Sequence, residues 1–312
     1  MKDKKVIFIV GPTATGKTGL AVSLGERLDT EVISADSMQI YKGMHVACAA
    51  PDKSEMRGVK HNLIEFLPYG AAFTVADYAA LARKEIDRVA AQGKTPIVAG
   101  GTGLYINALA DNVNFLPVRT DSALREELNR EYDEAGGEAM LKKLRGIDSA
   151  AADKLVAADK RRIVRAFEIY LTSGITKTEQ NARSVSSPPD FTPVMIGITF
   201  LDRQKLYDSI NARVDKMLQR GLLAEAKAAY ESKKAGGSLQ AIGHKEFFPY
   251  FKGEQTLEES IEALKQATRR YAKRQLTWFN RDERIKWIYR DITPDLLGEA
   301  LKIINSEEEK NA

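Results

Sequence analysis

The stretch GPTATGKT, residues 11–18, combines residue types that bind phosphate. It matches the pattern G-x-x-x-x-G-K-[ST] and lies between a β-branched run and a helical pattern. Glycines let backbone amides curve around an anion, and a helix directs its positive N-terminal end toward that anion. Lys17 supplies a charge, and the Thr18 hydroxyl can hold Mg²⁺. The candidate phosphate ligands are Gly11, Pro12, Thr13, Ala14, Thr15, Gly16, Lys17 and Thr18.

Two further polar sites follow predicted strands. The run ISADSMQIY places Asp36 at the carboxyl end of a strand, where α/β proteins bind ligands. Its carboxylate is a candidate magnesium ligand, general base or cap for the next helix. The run AGGTGLY has no acidic residue where nucleotide hydrolases often have a magnesium aspartate, and carries Thr102 among glycines instead. The pattern therefore predicts phosphate binding without the usual hydrolase layout.

A parallel sheet would bring these sites together. Short β-rich runs are predicted at residues 5–10, 30–35, 94–100, 193–200 and 284–289, and helical patterns such as residues 75–94 separate them. Apolar strands that alternate with amphipathic helices predict an α/β fold, a P-loop nucleoside-triphosphate-hydrolase-like parallel sheet with helices on both faces.

The segment 115–192 breaks this alternation, because it is charged and helical in pattern and has no convincing strand. We predict a helical insertion domain at 115–192, closed by the loop SVSSPPD. The catalytic core with its C-terminal helices would then comprise residues 1–114 and 193–312. The tail NSEEEKNA is predicted to be frayed.

Composition narrows the class of protein. The 312 residues are 44% hydrophobic and 29% charged, as in ordinary globular proteins, and the net charge is only +4. The single cysteine, Cys48, excludes an internal disulfide and suits a reducing compartment. No run approaches the roughly 20 apolar residues of a membrane span. We expect a cytoplasmic protein without membrane contact, and a monomer.

The last long helix has a basic side. Its predicted apolar face comprises Leu257, Ile261, Leu264, Tyr271, Trp278 and Phe279. Its predicted opposite face comprises Arg269, Arg270, Lys273, Arg274 and Arg281. No acidic residue lies between Glu262 and Asp282, so these cations lack i,i+4 partners. They are interpreted either as contacts to RNA phosphates or as a solvated basic face with favourable helix-end charge.

Several blocks together resemble one known family. In order they read GPTATGKT, ISADSMQIYKGM, GGTGLYINAL, KRRIVRAFEIYLTSG, INARVDKML, QAIGHKEF and YAKRQLTWF. They resemble the tRNA dimethylallyltransferase family over residues 5–289. The resemblance implies Mg²⁺-dependent transfer of a dimethylallyl group from dimethylallyl diphosphate to N6 of the adenine immediately 3′ of the tRNA anticodon. The phosphate loop would then hold a diphosphate leaving group.

The resemblance also assigns roles to residues. Asp36 matches the general base, Thr102 the hydroxyl that orients base and amine, and Arg213 a diphosphate-binding arginine. On residues alone, Arg213 lies at the edge of an apolar helical stripe, so snorkelling is the other interpretation. The implied contacts to the tRNA anticodon stem-loop are Asp36, Ser37, Met38, Gln39, Thr102, Arg125, Arg161, Arg162, Ile163, Val164, Arg165, Arg270, Lys273 and Arg274.

This sequence departs from the family at some positions. After YKGM the family usually continues close to D-I-G-T-A-K-P-T, whereas this chain reads HVACAAPD at residues 45–52. The family's VPHHLID is VKHNLIE here, and its glycine–tyrosine pair is Gly243-His244. The three histidines do not form a metal-spacing cluster and are interpreted as structural.

Other functions remain open to the sequence. Prenyl transfer to a free adenine nucleotide would not need the insertion or the basic helix. A small-molecule kinase would need arginines on a mobile lid and an aspartate after the strand at 94–100, where the sequence AGGTGLY has none. A non-catalytic RNA binder is supported only by the departures at residues 45–52. ATP is an alternative ligand for the same loop.

Overall fold

A computed structural model describes residues 4–115, 121–184, 188–232 and 241–309. Part of the predicted loop SVSSPPD and the first residue of QAIGHKEF lie outside the described residues. The described chain forms two compact units, Met1–Ala110 with Pro189–Ala312, and Asp111–Pro188. The first unit holds all the described strands and the second is helical.

The described strands form one sheet. They are β1 (Lys5–Val10), β2 (Val32–Ser34), β3 (His61–Asn62), β4 (Ile97–Gly100), β5 (Thr192–Thr199) and β6 (Lys286–Tyr289). Their order is β3-β2-β4-β1-β5-β6 and every pairing is parallel. The predicted α/β class is therefore confirmed. The two-residue strand β3 was not predicted, because it is too short to show a periodic pattern.

The helices follow in chain order. They are α1 (Lys17–Arg27), α2 (Lys53–Met56), α3 (Val75–Ala90), α4 (Gly103–Ala110), α5 (Ser122–Ala135), α6 (Gly137–Ile147), α7 (Ser149–Ala152), α8 (Lys160–Ser173), α9 (Lys177–Ser184), α10 (Arg203–Gln219), α11 (Leu222–Glu231), α12 (Phe248–Phe251), α13 (Leu257–Phe279) and α14 (Leu296–Glu309). In the part of the chain that the structure describes, no helix is long and apolar enough to span a bilayer.

The core of the first unit is centred on β1. Residues 6–10 are all fully buried, so both faces of this strand are covered. On one face, Ile7 and Ile9 pack with apolar side chains of α1 and α14, including Leu24 and Ile304. Helix α14 continues to Glu309, so residues 305–309 of the predicted frayed tail are helical, although the α14 side chains that pack on this core all precede residue 305.

The second unit has its own core. Leu128 of α5, Met140 and Leu144 of α6 and Ile163 and Phe167 of α8 are buried in one cluster. Asp148 supports the helix ends, since its carboxylate accepts hydrogen bonds from the amides of Ala151 and Thr178. The unit therefore has a hydrophobic cluster separate from that of the sheet, as expected of a compact insertion.

Candidate active site

Parallel strand order brings the predicted polar loops to one edge of the sheet. The phosphate loop follows β1, Asp36 follows β2 and Thr102 follows β4, and these strands are neighbours in the order β2-β4-β1. Their carboxyl ends therefore meet, as sequence reasoning predicted. Gly100 allows the close approach, because a Cβ there would lie 2.2 Å from the Ala35 carbonyl oxygen.

The phosphate loop has an open helix end. Gly16 adopts a left-handed φ of 95°, and no side chain caps the first turn of α1. The buried Thr15 hydroxyl donates to the Pro12 carbonyl at 2.9 Å, which closes the loop on itself. The uncapped amides of α1 are therefore free to meet an anion.

The three loops enclose a cavity of about 500 Å³. The predicted site residues that line it are Thr13, Lys17, Thr18, Asp36, Ser37, Met38, Gln39, Arg213, Arg270 and Arg274. The other loop residues shape the backbone around it, and they are Gly11, Pro12, Ala14, Thr15 and Gly16. The cavity thus collects the predicted base, the phosphate loop and three arginines.

Asp36 is both a turn cap and a cavity residue. Its Oδ1 accepts hydrogen bonds from the amides of Met38 at 2.9 Å and Gln39 at 3.4 Å. The capping role that sequence reasoning left open is therefore real, but it uses only one carboxylate oxygen. Thr102 lies beside this turn, where its Oγ1 accepts from the Ser37 amide at 3.0 Å. The carboxylate of Asp36 and the hydroxyl of Thr102 therefore both bond to backbone amides of the same turn.

Lys17 and Arg213 concentrate positive charge in the cavity. The Lys17 ammonium donates to the Pro12 carbonyl at 2.6 Å. Burial and the nearby Arg213 lower the pKa of Lys17 from its ordinary value to about 7, and Asp36 opposes this shift. Burial also lowers the pKa of Arg213. Two buried cationic side chains that repel each other form a site suited to an anion.

We expect diphosphate binding to take up a proton at Lys17. The free ammonium has a lowered pKa of about 7, and a bound anion would raise it. Below pH 7 Lys17 is already protonated, so its titration should not affect the affinity for inorganic diphosphate. Above pH 7 the affinity should fall as the pH rises, because Lys17 must first take up a proton. Calorimetry in buffers of different ionisation enthalpy measures the proton uptake. The Lys17→Arg variant, charged throughout, corrects for titration of diphosphate itself; an identical pH dependence in both proteins would contradict the prediction.

Helix α13 contributes more to the cavity than its sequence suggested. Arg270, Tyr271 and Arg274 all line it, and the Arg274 guanidinium lies 5.6 Å from the centroid of the Tyr271 ring. The predicted opposition of Tyr271 to these cations is wrong, because residues three and four apart share a helix face. Arg269 has no acidic residue at i,i+4 spacing, as the sequence indicated, but it donates to Glu262, seven residues earlier, at 2.7 Å and to Asn211 of α10 at 2.9 Å.

Two cavity residues were missed by sequence reasoning. Gln275 accepts a hydrogen bond from the Thr13 amide and donates to the Gly101 carbonyl, both at 2.9 Å, so it ties the phosphate loop to the loop after β4. Tyr271 hydrogen-bonds to Thr102, and burial raises the pKa of its phenol. Both lie in the block YAKRQLTWF, but nothing in a single helix sequence reveals partners more than 160 residues away.

Known proteins resemble this chain over most of its length. A profile described as IPP transferase matches residues 39–282. The chain is 45% identical over 288 residues to the tRNA dimethylallyltransferase of Acetivibrio thermocellus, covering 92% of each chain. The chain belongs to the tRNA dimethylallyltransferase family. The Bacillus subtilis member of that family is 43% identical over 290 residues, which cover 93% of this chain and 91% of that one.

Solved structures from the tRNA dimethylallyltransferase family share the fold. The full-length tRNA isopentenylpyrophosphate transferase of Bacillus halodurans matches with a TM-score of 0.72 and 40% identity, covering 99% of this chain and 97% of that chain. A eukaryotic dimethylallyltransferase acting on tRNA matches with a TM-score of 0.83 and 27% identity, covering 98% of this chain and 80% of that chain. The similarity therefore covers the sheet and the insertion alike.

The departures from the family pattern at residues 45–52 form part of the cavity wall. Glu225 of α11 accepts hydrogen bonds from the amides of Val46 and Ala47, both at 2.8 Å. The buried His244, which stands where the family usually has tyrosine, bonds to Glu225 through Nε2 at 2.9 Å. Glu225, itself bonded to His244, therefore holds the backbone of this segment.

Cys48 lines the same wall. Its carbonyl oxygen lies 3.5 Å from Nη2 of Arg213. Burial raises the pKa of the Cys48 thiol, so it stays protonated. A neutral thiol is a weak nucleophile, which leaves the cavity compatible with an electrophilic allylic substrate.

The donors around the phosphate loop suit a hydrated magnesium ion. Among the described residues no group of three or more His, Cys, Asp or Glu side chains could hold a metal by itself. Thr18 and Asp36 both line the cavity and offer one hydroxyl and one carboxylate. Mg²⁺ usually binds through one or two protein oxygens, substrate phosphates and several waters, so this sparse donor set fits it.

In the second unit the predicted RNA contacts separate into two groups. Arg161 and Arg162 are exposed at the start of α8. Arg125 and Arg165 both bond to the buried Glu168, with nitrogen–oxygen distances of 2.8 and 2.7 Å. Their side chains remain 48% and 38% exposed, so the shared carboxylate fixes two cations at the surface.

Ile163 and Val164 are two further predicted tRNA contacts on this helix. Their side chains are 0% and 4% exposed and pack in the core of the second unit. Contact of these two residues with tRNA stays a prediction. Helical periodicity turns them toward α5 and α6, whereas the neighbouring arginines face outward.

Proposed function

We propose that this chain transfers the dimethylallyl group of dimethylallyl diphosphate to N6 of the adenine immediately 3′ of the tRNA anticodon, giving N6-(dimethylallyl)adenosine. Membership of the tRNA dimethylallyltransferase family supports the reaction. The observation that carries the assignment of residues is the single cavity that joins Asp36 to the phosphate loop, Lys17 and Arg213.

The reaction needs a base beside the acceptor. An exocyclic amine is a poor nucleophile, so its proton must leave as the new N6–carbon bond forms. We assign that proton to Asp36, whose Oδ1 is engaged by the turn amides and leaves the carboxylate oriented. Thr102, one hydrogen bond away through the Ser37 amide, would orient the carboxylate and the amine.

The departing group needs preorganised positive charge. As the allylic carbon–oxygen bond breaks, the electron pair goes to diphosphate, and negative charge develops on its bridging and terminal oxygens. Lys17, Arg213 and the amides at the start of α1 would receive it. When bound, Mg²⁺ would neutralise part of that charge, and the Thr18 hydroxyl would hold the ion. These roles are proposals supported by the placement of charge in the cavity.

tRNA binding would use basic residues of both units. Arg270, Lys273 and Arg274 of α13 would contact phosphates near the target adenine, which has to leave its stack to reach the cavity. The exposed cations of α5 and α8, among them Arg125 and Arg161, would contact the anticodon stem-loop elsewhere. Cytoplasmic location and a monomeric state stay predictions of the sequence.

Separate incubations with three possible acceptors test this function. The protein would be incubated with labelled dimethylallyl diphosphate, Mg²⁺ and either unmodified tRNA, AMP or ATP. We expect label only in tRNA. Label in AMP or ATP would instead support the free-nucleotide prenyltransferase, and transfer of a phosphoryl group from ATP would support the kinase.

Neutralising two arginines of α13 should weaken tRNA binding in a salt-dependent way. Each phosphate contact contributes about one unit to the slope of log affinity against log salt, so Arg270→Ala with Arg274→Ala should lower that slope by about 2. Filter binding of unmodified tRNA between low and physiological salt measures it.

The control for that experiment removes the same charge elsewhere. Arg27→Ala with Lys302→Ala changes exposed residues of α1 and α14, and Arg27 lies at the end of α1 opposite the phosphate loop. We expect this pair to leave the slope near that of the unchanged protein. Equal slopes for all three proteins would return Arg270 and Arg274 to a purely structural role.

A further inference from the structure

Trp278 is an exposed aromatic residue close to the reaction cavity. It lies on α13, seven residues after Tyr271 and four after Arg274, so it continues the helix face that lines the cavity. Its side chain is 38% exposed, which is unusual for the largest apolar residue type. Arg281 is exposed just beyond the end of α13.

The indole ring is held in one orientation. Its Nε1 donates a hydrogen bond to Oδ1 of Asn107 at 3.0 Å. Its ring packs on Gly103, where a Cβ would lie 2.2 Å from Cδ1 of the indole. Gly103 directly follows Thr102, so the ring adjoins the backbone of the proposed reaction site. An aromatic surface that is fixed yet exposed can bind a flat ligand with little loss of conformational entropy.

A second cavity, of about 460 Å³, opens beside this ring. It is lined by Asn107, Trp278, Arg281, Asp282, Glu283 and Arg284. Arg284 neutralises Asp282 through a hydrogen bond of 2.7 Å, which leaves Arg281 and Glu283 as the charges that face a ligand. Leu104, next to Gly103, is 48% exposed and adds apolar surface. The surface is therefore aromatic and nearly neutral, with a cation at its edge.

We propose that Trp278 stacks on a nucleobase of the tRNA anticodon loop next to the target adenine, and that Arg281 contacts the adjoining phosphate. This inference rests on the proposed function, because extraction of the adenine exposes the faces of its neighbours. When the adenine leaves, its neighbour loses a stacking partner, and an aromatic side chain can replace that partner whatever the identity of the base. Trp278 shares a helix face with Arg274, and Arg274 lines the cavity in which the target adenine would react. We therefore favour the anticodon loop over a protein partner as the ligand of Trp278.

The first test uses the fluorescence of Trp278. In a Trp287→Phe protein it is the only tryptophan. An unmodified anticodon stem-loop, added without dimethylallyl diphosphate, should quench this fluorescence. A stem-loop that is abasic at the stacked neighbour of the target adenine should bind with less quenching. The proposal would be overturned if stem-loops made abasic at either neighbour quenched the fluorescence equally. It would also be overturned if anisotropy showed that the stem-loop binds and the fluorescence were not quenched.

The second test measures affinity. Since base–aromatic stacking corresponds to roughly a 5- to 150-fold change in affinity, Trp278→Leu should weaken stem-loop binding within that range, and Trp278→Phe should restore most of it. Unchanged affinity in Trp278→Leu would overturn stacking. Neither experiment contains the prenyl donor, so failure of the transferase function would leave both results intact, and failure of stacking would leave transfer by the unchanged protein intact.

Discussion

Asp36→Asn should reduce dimethylallyl transfer by roughly 10²- to 10⁴-fold, the usual contribution of a positioned general base. Asparagine keeps an Oδ1 that can accept the hydrogen bonds of Met38 and Gln39, so the turn after β2 should survive. The variant removes only the negative charge and the capacity to accept the proton of the amine. Single-turnover transfer to saturating tRNA measures the chemical step, and filter binding should show tRNA affinity within about twofold of the unchanged protein.

Asp36→Ala separates the two roles of this residue. It removes the carboxylate and also the turn acceptor, so it should be inactive and less stable by about 0.5–2 kcal/mol, the usual cost of losing a side-chain cap. Asp36→Asn should share the large loss of transfer activity but not the loss of stability. If Asp36→Asn transferred the prenyl group at the normal rate, the carboxylate would be a turn cap alone and the base would have to be sought elsewhere in the cavity.

Arg213→Ala should lower the single-turnover rate by about 10²- to 10³-fold, since removal of one preorganised donor to developing negative charge has that effect in other enzymes. The buried guanidinium faces Lys17 and Asp36 across the cavity, and its charge already lowers the pKa of Lys17. Loss of Arg213 should therefore also raise the pKa of Lys17. The diphosphate affinity of the variant should begin to fall at a higher pH than that of the unchanged protein.

Arg220 provides the matched control for Arg213. It lies at the end of the same helix, is 49% exposed, and pairs with Asp52 and Glu55 at 3.0 and 3.3 Å. Surface pairs of this kind contribute about 0–1 kcal/mol, so Arg220→Ala should keep nearly full transfer activity. Equal losses in the two variants would mean that Arg213 acts on the stability of α10, and not on the leaving group.

The phosphate loop and its neighbours were predictable because their chemistry is local. Residues 11–18 carry the loop geometry in consecutive positions, and parallel strands place Asp36 and Thr102 beside it without further information. The roles assigned to these residues stay predictions, whereas the family and the α/β sheet are confirmed.

Residues that reach the site through tertiary packing were not predictable from pattern. Gln275 joins two loops that lie 262 and 174 residues away in sequence. The Glu225–His244 pair holds a segment 178 residues from Glu225, so neither residue reveals its partner by spacing. The family block that includes Ile163 and Val164 was carried over whole, whereas helical periodicity turns these two side chains inward, so their contact with tRNA stays a prediction.

The most direct test of the reaction is mass spectrometry of tRNA after incubation with deuterated dimethylallyl diphosphate and Mg²⁺. The proposed function predicts one deuterated N6-(dimethylallyl)adenosine, located immediately 3′ of the anticodon, in tRNA treated with the unchanged protein. After an incubation only long enough for the unchanged protein to complete one turnover, the digest from Asp36→Asn should contain less than about one hundredth as much. A prenyl group at another nucleotide, or unmodified tRNA recovered after treatment with the unchanged, tRNA-binding protein, would contradict the account.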